Sequence, residues 1–331
     1  MRPPAFWRGR GLWPTLLRPS AALYGAVAAR RMGLPGERAA LPVICVGNFT
    51  VGGAGKTPAA LAIVALLDGM GERPVLLTRG YGGSLPGPVR VDGERHRAAA
   101  VGDEPLLLAR AAPTVVSRDR PAGARLAATL GGSVVVMDDG LQNPSLAKDL
   151  SFAVVDGATG LGNGLPLPAG PLRAPLAAQW PRVDAVILVG EGEGGEAVAR
   201  EAGRRGKPVL RGRLAPAPDA PDLRGRRVLA FAGIGRPEKF FKTLEGAGAV
   251  VETRRAFPDH HPYSAAEVRG LGEEAAANGL TLVTTEKDRV RLAGFGGVDK
   301  VPFLAFPVRL VLADEAALRG TLETALERRR T

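Results

Sequence analysis

Leu41–Pro58 reads LPVICVGNFTVGGAGKTP. An apolar run suited to a buried strand breaks into a glycine-rich turn, and Lys56 and Thr57 then open a helix expected to reach about Met70. This order suits a phosphate-binding loop, because glycines let backbone N–H groups approach the phosphates and a helix N-terminus favours negative charge. Lys56 would reach the β- and γ-phosphates, and the Thr57 hydroxyl would ligate Mg²⁺. Nucleotide contacts are therefore expected from Thr50, Val51, Gly52, Gly53, Ala54, Gly55, Lys56 and Thr57. The common spacing G-x-x-x-x-G-K-[ST] places its first glycine at position 50, where this chain has Thr50; Gly52, Gly53 and Gly55 supply the freedom instead. An ordinary strand–turn–helix connection would not require Gly-Lys-Thr at this point.

At 331 residues the chain is long enough for about two domains. Beyond the loop, apolar strand-like runs recur at Pro74–Thr78, Thr114–Ser117, Ser133–Met137, Phe152–Asp156 and Val183–Val189. Helical patterns lie between several of them, at Pro105–Ala111, Ala122–Thr129 and Glu196–Arg205. Alternation of this kind predicts an α/β fold with a largely parallel sheet covered on both faces. LAPAPDAP at Leu214–Pro221 reads as a linker. After it the alternation restarts with strands at Arg227–Ala232, Val250–Ala256 and Thr281–Thr285 and a helix at Pro237–Leu244. Ser264 and Glu267 form a capping box for a further helix ending near Asn278-Gly279. The expected organisation is an N-terminal segment over residues 1–35, a phosphate-loop domain over 36–213, a linker over 214–226 and a smaller α/β domain over 227–331.

The net charge is +11, yet only 5% of residues are aromatic and no basic cluster is interleaved with them, which argues against a nucleic-acid partner. The single cysteine, Cys45, excludes an intrachain disulfide and fits a reducing compartment. No Asp or Glu precedes Glu37, whereas Arg2, Arg8, Arg10, Arg18, Arg30 and Arg31 are scattered among Trp7, Leu12, Trp13, Leu16 and Leu23. The longest clean apolar run there, Ala21–Ala29, is too short to cross a bilayer. Arginines mixed with Trp and Leu suit a helix lying in the membrane interface.

Ligands in open α/β sheets bind beyond the carboxyl ends of the strands. Asp138 and Asp139 follow the run SVVVM, where paired acids are costly unless they meet a cation such as Mg²⁺; an Asp-Gly turn is the plainer alternative. Asp103, in GDEP, reads equally as a helix N-cap or as a functional acid. His260 and His261, two of three histidines, follow Asp259 in FPDHHPY, so a proton-relaying pair and a solvated helix-entry turn are both open. Arg173 lies in the rigid loop PAGPLR, where it could clamp a transferring phosphoryl group. Lys287 in TTEKD stands one place too late for a guanine-binding element.

The ordered set VGNFTVGGAGKTP, TRGYGG, GDEP, DDGLQN, PAGPLR, FPDHHPY and TTEKD, between Ala21 and Leu292, resembles the tetraacyldisaccharide 4′-kinases. The resemblance implies two α/β domains with the active site in the cleft between them. It implies transfer of the γ-phosphate of ATP·Mg²⁺ to the 4′-hydroxyl of a tetraacylated glucosamine disaccharide 1-phosphate, at the cytoplasmic face of the inner membrane; no obligate protein partner is inferred. It places the catalytic acid–base pair on Asp103 and His260, the active-site arginine on Arg173, and the paired acids on Asp138 and Asp139 with Gln142 beside them; Thr57, Asp138 and Asp139 become the metal ligands. The chain departs from the family pattern at Asn143, where His is usual, and at Ala174, where Glu is usual. A nucleotide-driven partition-type ATPase, or a kinase-like protein with altered activity, is the alternative reading.

Overall fold

The computed structural model of the chain describes residues 4–9, 11–293 and 301–330. Arg2 and Arg10 of the basic N-terminal segment lie outside them. Among the described residues there are thirteen strands. They are β1 (Val43–Gly47), β2 (Pro74–Thr78), β3 (Val89–Arg90), β4 (Thr114–Val116), β5 (Val134–Asp138), β6 (Leu150–Asp156), β7 (Ala185–Val189), β8 (Val209–Pro216), β9 (Arg227–Ala232), β10 (Val250–Ala256), β11 (Thr281–Thr285), β12 (Leu304–Phe306) and β13 (Val308–Leu312). Nine of them form one sheet in the order β13-β8-β7-β6-β1-β5-β2-β4-β3, and four form a second in the order β10-β9-β11-β12.

Every residue of β1, β2, β5, β6 and β7 is buried, which is why these strands read as unbroken apolar runs. Successive side chains of β1 alternate between two cores. Ile44 and Val46 join Ile63 and Leu67 of the helix Lys56–Gly69, whereas Val43 and Cys45 join Ala124, Ala127, Val198 and Ala202 of helices on the other face. Parallel pairing of β1 with both β5 and β6 brings Gly47, Asp138 and Asp156 to one carboxyl edge. The phosphate loop leaves β1 at this edge, where connections on either side diverge and leave a crevice.

The smaller sheet is entirely parallel. One face packs Phe240, Phe241 and Leu244 of the helix Pro237–Gly246, and the other packs Val268, Leu271 and Ala275 of the helix Ala265–Ala277. The capping box expected at Ser264 and Glu267 is present.

The expected domain limits shift at two places. The proline-rich start of the expected linker is the end of β8, which pairs antiparallel with β13, Leu214 facing Leu310 and Pro216 facing Val308. Proline is tolerated because Pro216 closes the strand, where little ladder follows. The last segment also returns to the larger domain. Leu310, and Leu318, Leu322 and Leu326 of the helix Glu315–Arg330, share the core containing Ile44 and Ile63. Among the described residues the strands of the smaller sheet, β9 to β12, thus fall between β8 and β13 of the larger sheet.

The N-terminal segment forms a 3₁₀ turn at Ala5–Arg8 and two helices, Leu12–Leu16 and Arg18–Met32. Ala21, Gly25 and Met32 face the protein, and a Cβ at Gly25 would lie 3.1 Å from the Pro175 ring. The Trp7 indole N–H donates to the Pro168 carbonyl (3.0 Å). The segment is therefore seated on the loop that carries Arg173. Its outer face leaves Leu12, Trp13, Leu16 and Leu23 60–70% exposed, with Arg8, Arg18, Arg30 and Arg31 also exposed. No helix among the described residues is long and apolar enough to cross a membrane.

Candidate active site

The phosphate loop turns through Gly52 (φ +104°) and Gly55 (φ +94°), backbone angles that only glycine adopts cheaply. Gly55 caps the helix that Lys56 and Thr57 begin. Thr50 needs no such freedom, because its backbone pairs with Leu172. Val51 N–H donates to Pro171 (2.9 Å), Arg173 N–H donates to Phe49 (2.9 Å), and the Arg173 Nε donates to the Thr50 carbonyl (3.0 Å). The PAGPLR loop is thus stitched to the phosphate loop. Thr50 holds Arg173 rather than lining the cleft, which Val51 to Thr57 do line.

At the end of β5 Asp138 is buried, and its Oδ1 has no hydrogen-bond partner. Burial, followed by the nearby Glu104 and Asp139 charges, pushes its carboxyl up to about 7. Asp139 adopts φ +53°, a strained angle for a side-chain-bearing residue. It accepts a hydrogen bond from Arg173 Nη1 (2.7 Å) and lies 3.8 Å from Lys56 Nζ. Burial alone would raise the Asp139 carboxyl, but Lys56 and then Arg173 hold it below the ordinary range. No group of three or more His, Cys, Asp or Glu side chains among the described residues could by itself enclose a metal. The orphaned oxygen of Asp138, next to the Asp139 and Lys56 charges, instead fits a cation that takes one or two carboxylates and completes its shell with phosphate and water, the habit of Mg²⁺.

Gln142 has a different place from the one expected. Its amide N–H₂ donates to the Asn48 carbonyl (2.7 Å) and to Gln179 Oε1 (2.7 Å), and Gln179 donates in turn to the Ala174 carbonyl (2.6 Å). It braces the start of the phosphate loop against the Arg173 loop and does not line the cleft. The two departures from the family pattern fall on similar ground. Asn143 accepts from Ser145 N–H and Oγ–H within a turn, and Ala174 is fully buried.

Asp103 begins the helix Asp103–Leu108 directly after Gly102, which has φ +91° and where a Cβ would lie only 2.5 Å from the Tyr81 carbonyl oxygen. The cap position belongs to Gly102, which removes the simple N-cap reading of Asp103. The buried carboxylate faces the smaller domain. His260 Nδ1 lies 3.2 Å from Oδ2, Arg291 Nε donates to the same oxygen (2.6 Å), and Oδ1 accepts from Glu104 N–H (3.0 Å). Burial works against ionisation, but the His260 hydrogen bond and the Arg291 and Lys287 charges hold the group far below the usual carboxylate range. His260 is the second non-glycine residue with positive φ (+56°) among the described residues. The Asp103 hydrogen bond raises its imidazole above the ordinary value. His261 turns away, pairing with Glu267 (3.0 Å) and stacking on Phe257. Asp259 stands 3.9 Å from the far nitrogen of His260.

Between the domains lies a cleft of about 430 Å³, lined by the phosphate loop, Asp139, Arg173, His260, Lys287 and Tyr81. One wall is apolar, with Leu61, Leu214, Ile234, Phe240, Phe306 and Val308. The GIGRP turn leans on the phosphate loop, and a Cβ at Gly235 would lie 3.4 Å from Gly53 N. Phosphates at Lys56, a planar base on the apolar wall and a hydroxyl beside His260, the partner of Asp103, would all be reached from this one space.

Three comparisons bear on this geometry. The family model described as tetraacyldisaccharide-1-P 4′-kinase (LpxK) matches residues 13–327. The chain belongs to the tetraacyldisaccharide 4′-kinase family. A tetraacyldisaccharide 4′-kinase of Methylobacterium radiotolerans is 61% identical over 98% of this chain and 99% of its own length, and one of Rhodopseudomonas palustris is 56% identical over 96% and 94%. A crystal structure of LpxK from Aquifex aeolicus in complex with ATP has TM-score 0.74 at 28% identity, covering 95% of this chain and 100% of that one. The α/β class with a largely parallel sheet and the kinase family expected from the motifs are borne out.

Several charged residues at this domain junction escape a reading of single motifs. Lys287 pairs with Glu104 (2.5 Å), and Arg291 with Asp103, from one face of the helix Glu286–Leu292. Their i, i+4 spacing was the available signal. On the other side of the cleft Asp156, at the end of β6, holds Arg236 and Lys239 of the smaller domain, the latter at 3.1 Å.

The His260–Asp103 pairing sets a pH dependence. A histidine raised in the folded state contributes stability that is fully present below its ordinary value of 6.5 and is lost as pH rises through its folded value. The Tm of the unmodified chain minus that of His260→Gln should therefore shrink as pH rises above 6.5. A difference that is constant with pH would show that the pairing contributes no linked stability.

Proposed function

We propose that the chain transfers the γ-phosphate of ATP to the 4′-hydroxyl of a tetraacylated glucosamine disaccharide 1-phosphate, with Asp103 as the group that accepts the hydroxyl proton. The observation that carries this reading is the meeting of Asp103 and His260, one from each domain, with His260 lining the cleft that contains Lys56 and the buried Asp103 paired to it. Phosphoryl transfer asks the protein for charge stabilisation, alignment and a proton acceptor. Lys56 begins its helix beside Asp139 and supplies positive charge where the β- and γ-phosphates would lie. Arg173, fixed at both Thr50 and Asp139, presents a guanidinium for the equatorial oxygens of the transferring group. The His260 hydrogen bond and the Arg291 charge favour the ionised form of Asp103 that a base requires, and His260 orients it. Thr57, Asp138 and Asp139 are the residues that would hold Mg²⁺, which when bound neutralises charge on the phosphates. Tyr81, 68% exposed with its ring 5.4 Å from that of His260, offers an apolar surface for a sugar ring at the mouth of the cleft.

The acceptor is a lipid, so the cleft must work at a bilayer surface. The exposed Leu12, Trp13, Leu16 and Leu23 would enter the headgroup boundary while the neighbouring arginines meet anionic lipid. Because this segment is seated on the PAGPLR loop through Trp7 and Gly25, its docking would bring Arg173 to the headgroups. We place the chain peripherally at the cytoplasmic face of the inner membrane on this basis.

With γ-labelled ATP, Mg²⁺ and the disaccharide lipid in detergent, labelled lipid should form, and Lys56→Ala and Asp103→Ala should each lose about 10²–10⁴-fold in kcat. ATP hydrolysis without any labelled lipid would contradict the kinase reading; full activity in Asp103→Ala would contradict only its role as base. Replacing Trp13 and Leu16 with Asp should weaken sedimentation with anionic vesicles while turnover of detergent-dispersed lipid is kept. Unchanged sedimentation would remove the membrane role of the segment.

A further inference from the structure

The structure assigns Arg291, backed by Asp288, the task of positioning Asp103: it occupies one carboxylate oxygen so that the other is left to meet the acceptor hydroxyl. This inference rests on the reading of Asp103 as the proton acceptor. Arg291 lies on the helix Glu286–Leu292, with a side chain only 9% exposed. Its Nε donates to Asp103 Oδ2 at 2.6 Å, and Nη2 pairs with the same oxygen. Nη1 is turned the other way, donating to Asp288 Oδ1 (2.8 Å) and to the Gly233 carbonyl (2.5 Å). Arg291 is thus held at both ends of its guanidinium and cannot swing from Asp103 without breaking contacts inside the smaller domain.

Asp288 is itself fixed. It is fully buried and accepts from Gly233 N–H (3.2 and 3.1 Å), from Tyr263 Oη–H (3.1 Å) and from Thr285 Oγ1–H (2.7 Å). These donors come from the turn after β9, the end of FPDHHPY and the end of β11. Three motifs of the smaller domain therefore converge on one buried carboxylate whose output is the orientation of one arginine. Such a network is costly unless every member is satisfied, and here the members satisfy one another.

The consequence falls on the two oxygens of Asp103. Oδ2 is engaged by Arg291 and His260, while Oδ1 accepts from Glu104 N–H. A carboxylate oxygen has a second lone pair, so Oδ1 can still take the proton of a hydroxyl. The charged groups facing Asp103 are Glu104 from its own helix and His260, Lys287 and Arg291 from the smaller domain, with Asp288 behind Arg291. Removing Arg291 leaves His260 and Lys287 in place, so the carboxylate stays paired but loses its closest fixed cation.

A bare interdomain ion pair would affect stability alone; a positioning residue also affects the titration that governs turnover. In Arg291→Met, the acid limb of kcat/KM for the lipid acceptor should move to higher pH by about 1–3 units, the size of shift an adjacent opposite charge produces. KM for ATP should be unchanged. Arg291→Lys keeps the charge but not the two-donor fork, so its acid limb should stay close to that of the unmodified chain while kcat falls. An acid limb unmoved in Arg291→Met would overturn the assignment, as would wild-type kcat in Arg291→Lys, which decides the matter if the Met variant does not fold. Asp103→Asn separates the two layers. If it retains full turnover, the base reading fails and this inference with it. If it is inactive while Arg291→Met keeps its acid limb, only the positioning role fails.

Discussion

One buried carboxylate from the larger domain, Asp103, is held by an imidazole and a guanidinium from the smaller domain, and the rest of the site is arranged around that junction. Neither domain alone contains a complete constellation. The larger supplies the phosphate loop, Asp139, Arg173 and Asp103, and the smaller supplies His260, Lys287 and Arg291. Because buried ion pairs gain little net stability against hydrophobic packing, this concentration of charge is better understood as fixing geometry than as holding the fold together. Folding is carried by the two apolar layers on either side of β1 and by the separate cores of the smaller sheet.

The backbone carries the same message. Among the described residues the two side-chain-bearing residues at positive φ are Asp139 and His260, one in each domain and both at the cleft. Left-handed angles at such residues persist only where surrounding contacts over-determine them. At Asp139 those contacts are Arg173 and Lys56, and at His260 they are Asp103 and the Gly233 carbonyl, which accepts from its N–H (3.0 Å). On the far side of the cleft, Asp156 with Arg236 and Lys239 ties the domains again. The approach of the two domains is therefore set by charge on both flanks, with the apolar wall between them free to receive a base.

Much of this was legible in the sequence because it is local. An apolar run, a glycine turn and Gly-Lys-Thr define the phosphate loop within eighteen residues, Leu41–Pro58. The strand end carrying Asp138 and the turn after β10 that carries His260 follow from the same alternation, and β9, β10 and β11 have the expected limits. What escaped depends on distant partners. Leu214–Pro216 looks like a linker until Val308–Leu310 pairs with it. Gln142 looks catalytic until Asn48 and Gln179 claim its amide. Arg291 is one of 44 basic residues, and nothing beside it in RVRL marks it; its partner Asp103 lies 188 positions away. Position 50 shows the converse. A missing glycine is harmless because Leu172 and Arg173 fix the backbone that glycine would have left free.

The central claim is that Asp103 and His260 act as one unit across the domain junction. The most direct test is a double-mutant cycle on kcat/KM for the lipid acceptor with Asp103→Asn, His260→Gln and the pair. Residues acting as a unit lose their function together, so the double variant should be no slower than the slower single variant. Losses that multiply would show that the two groups contribute independently, and would contradict the account.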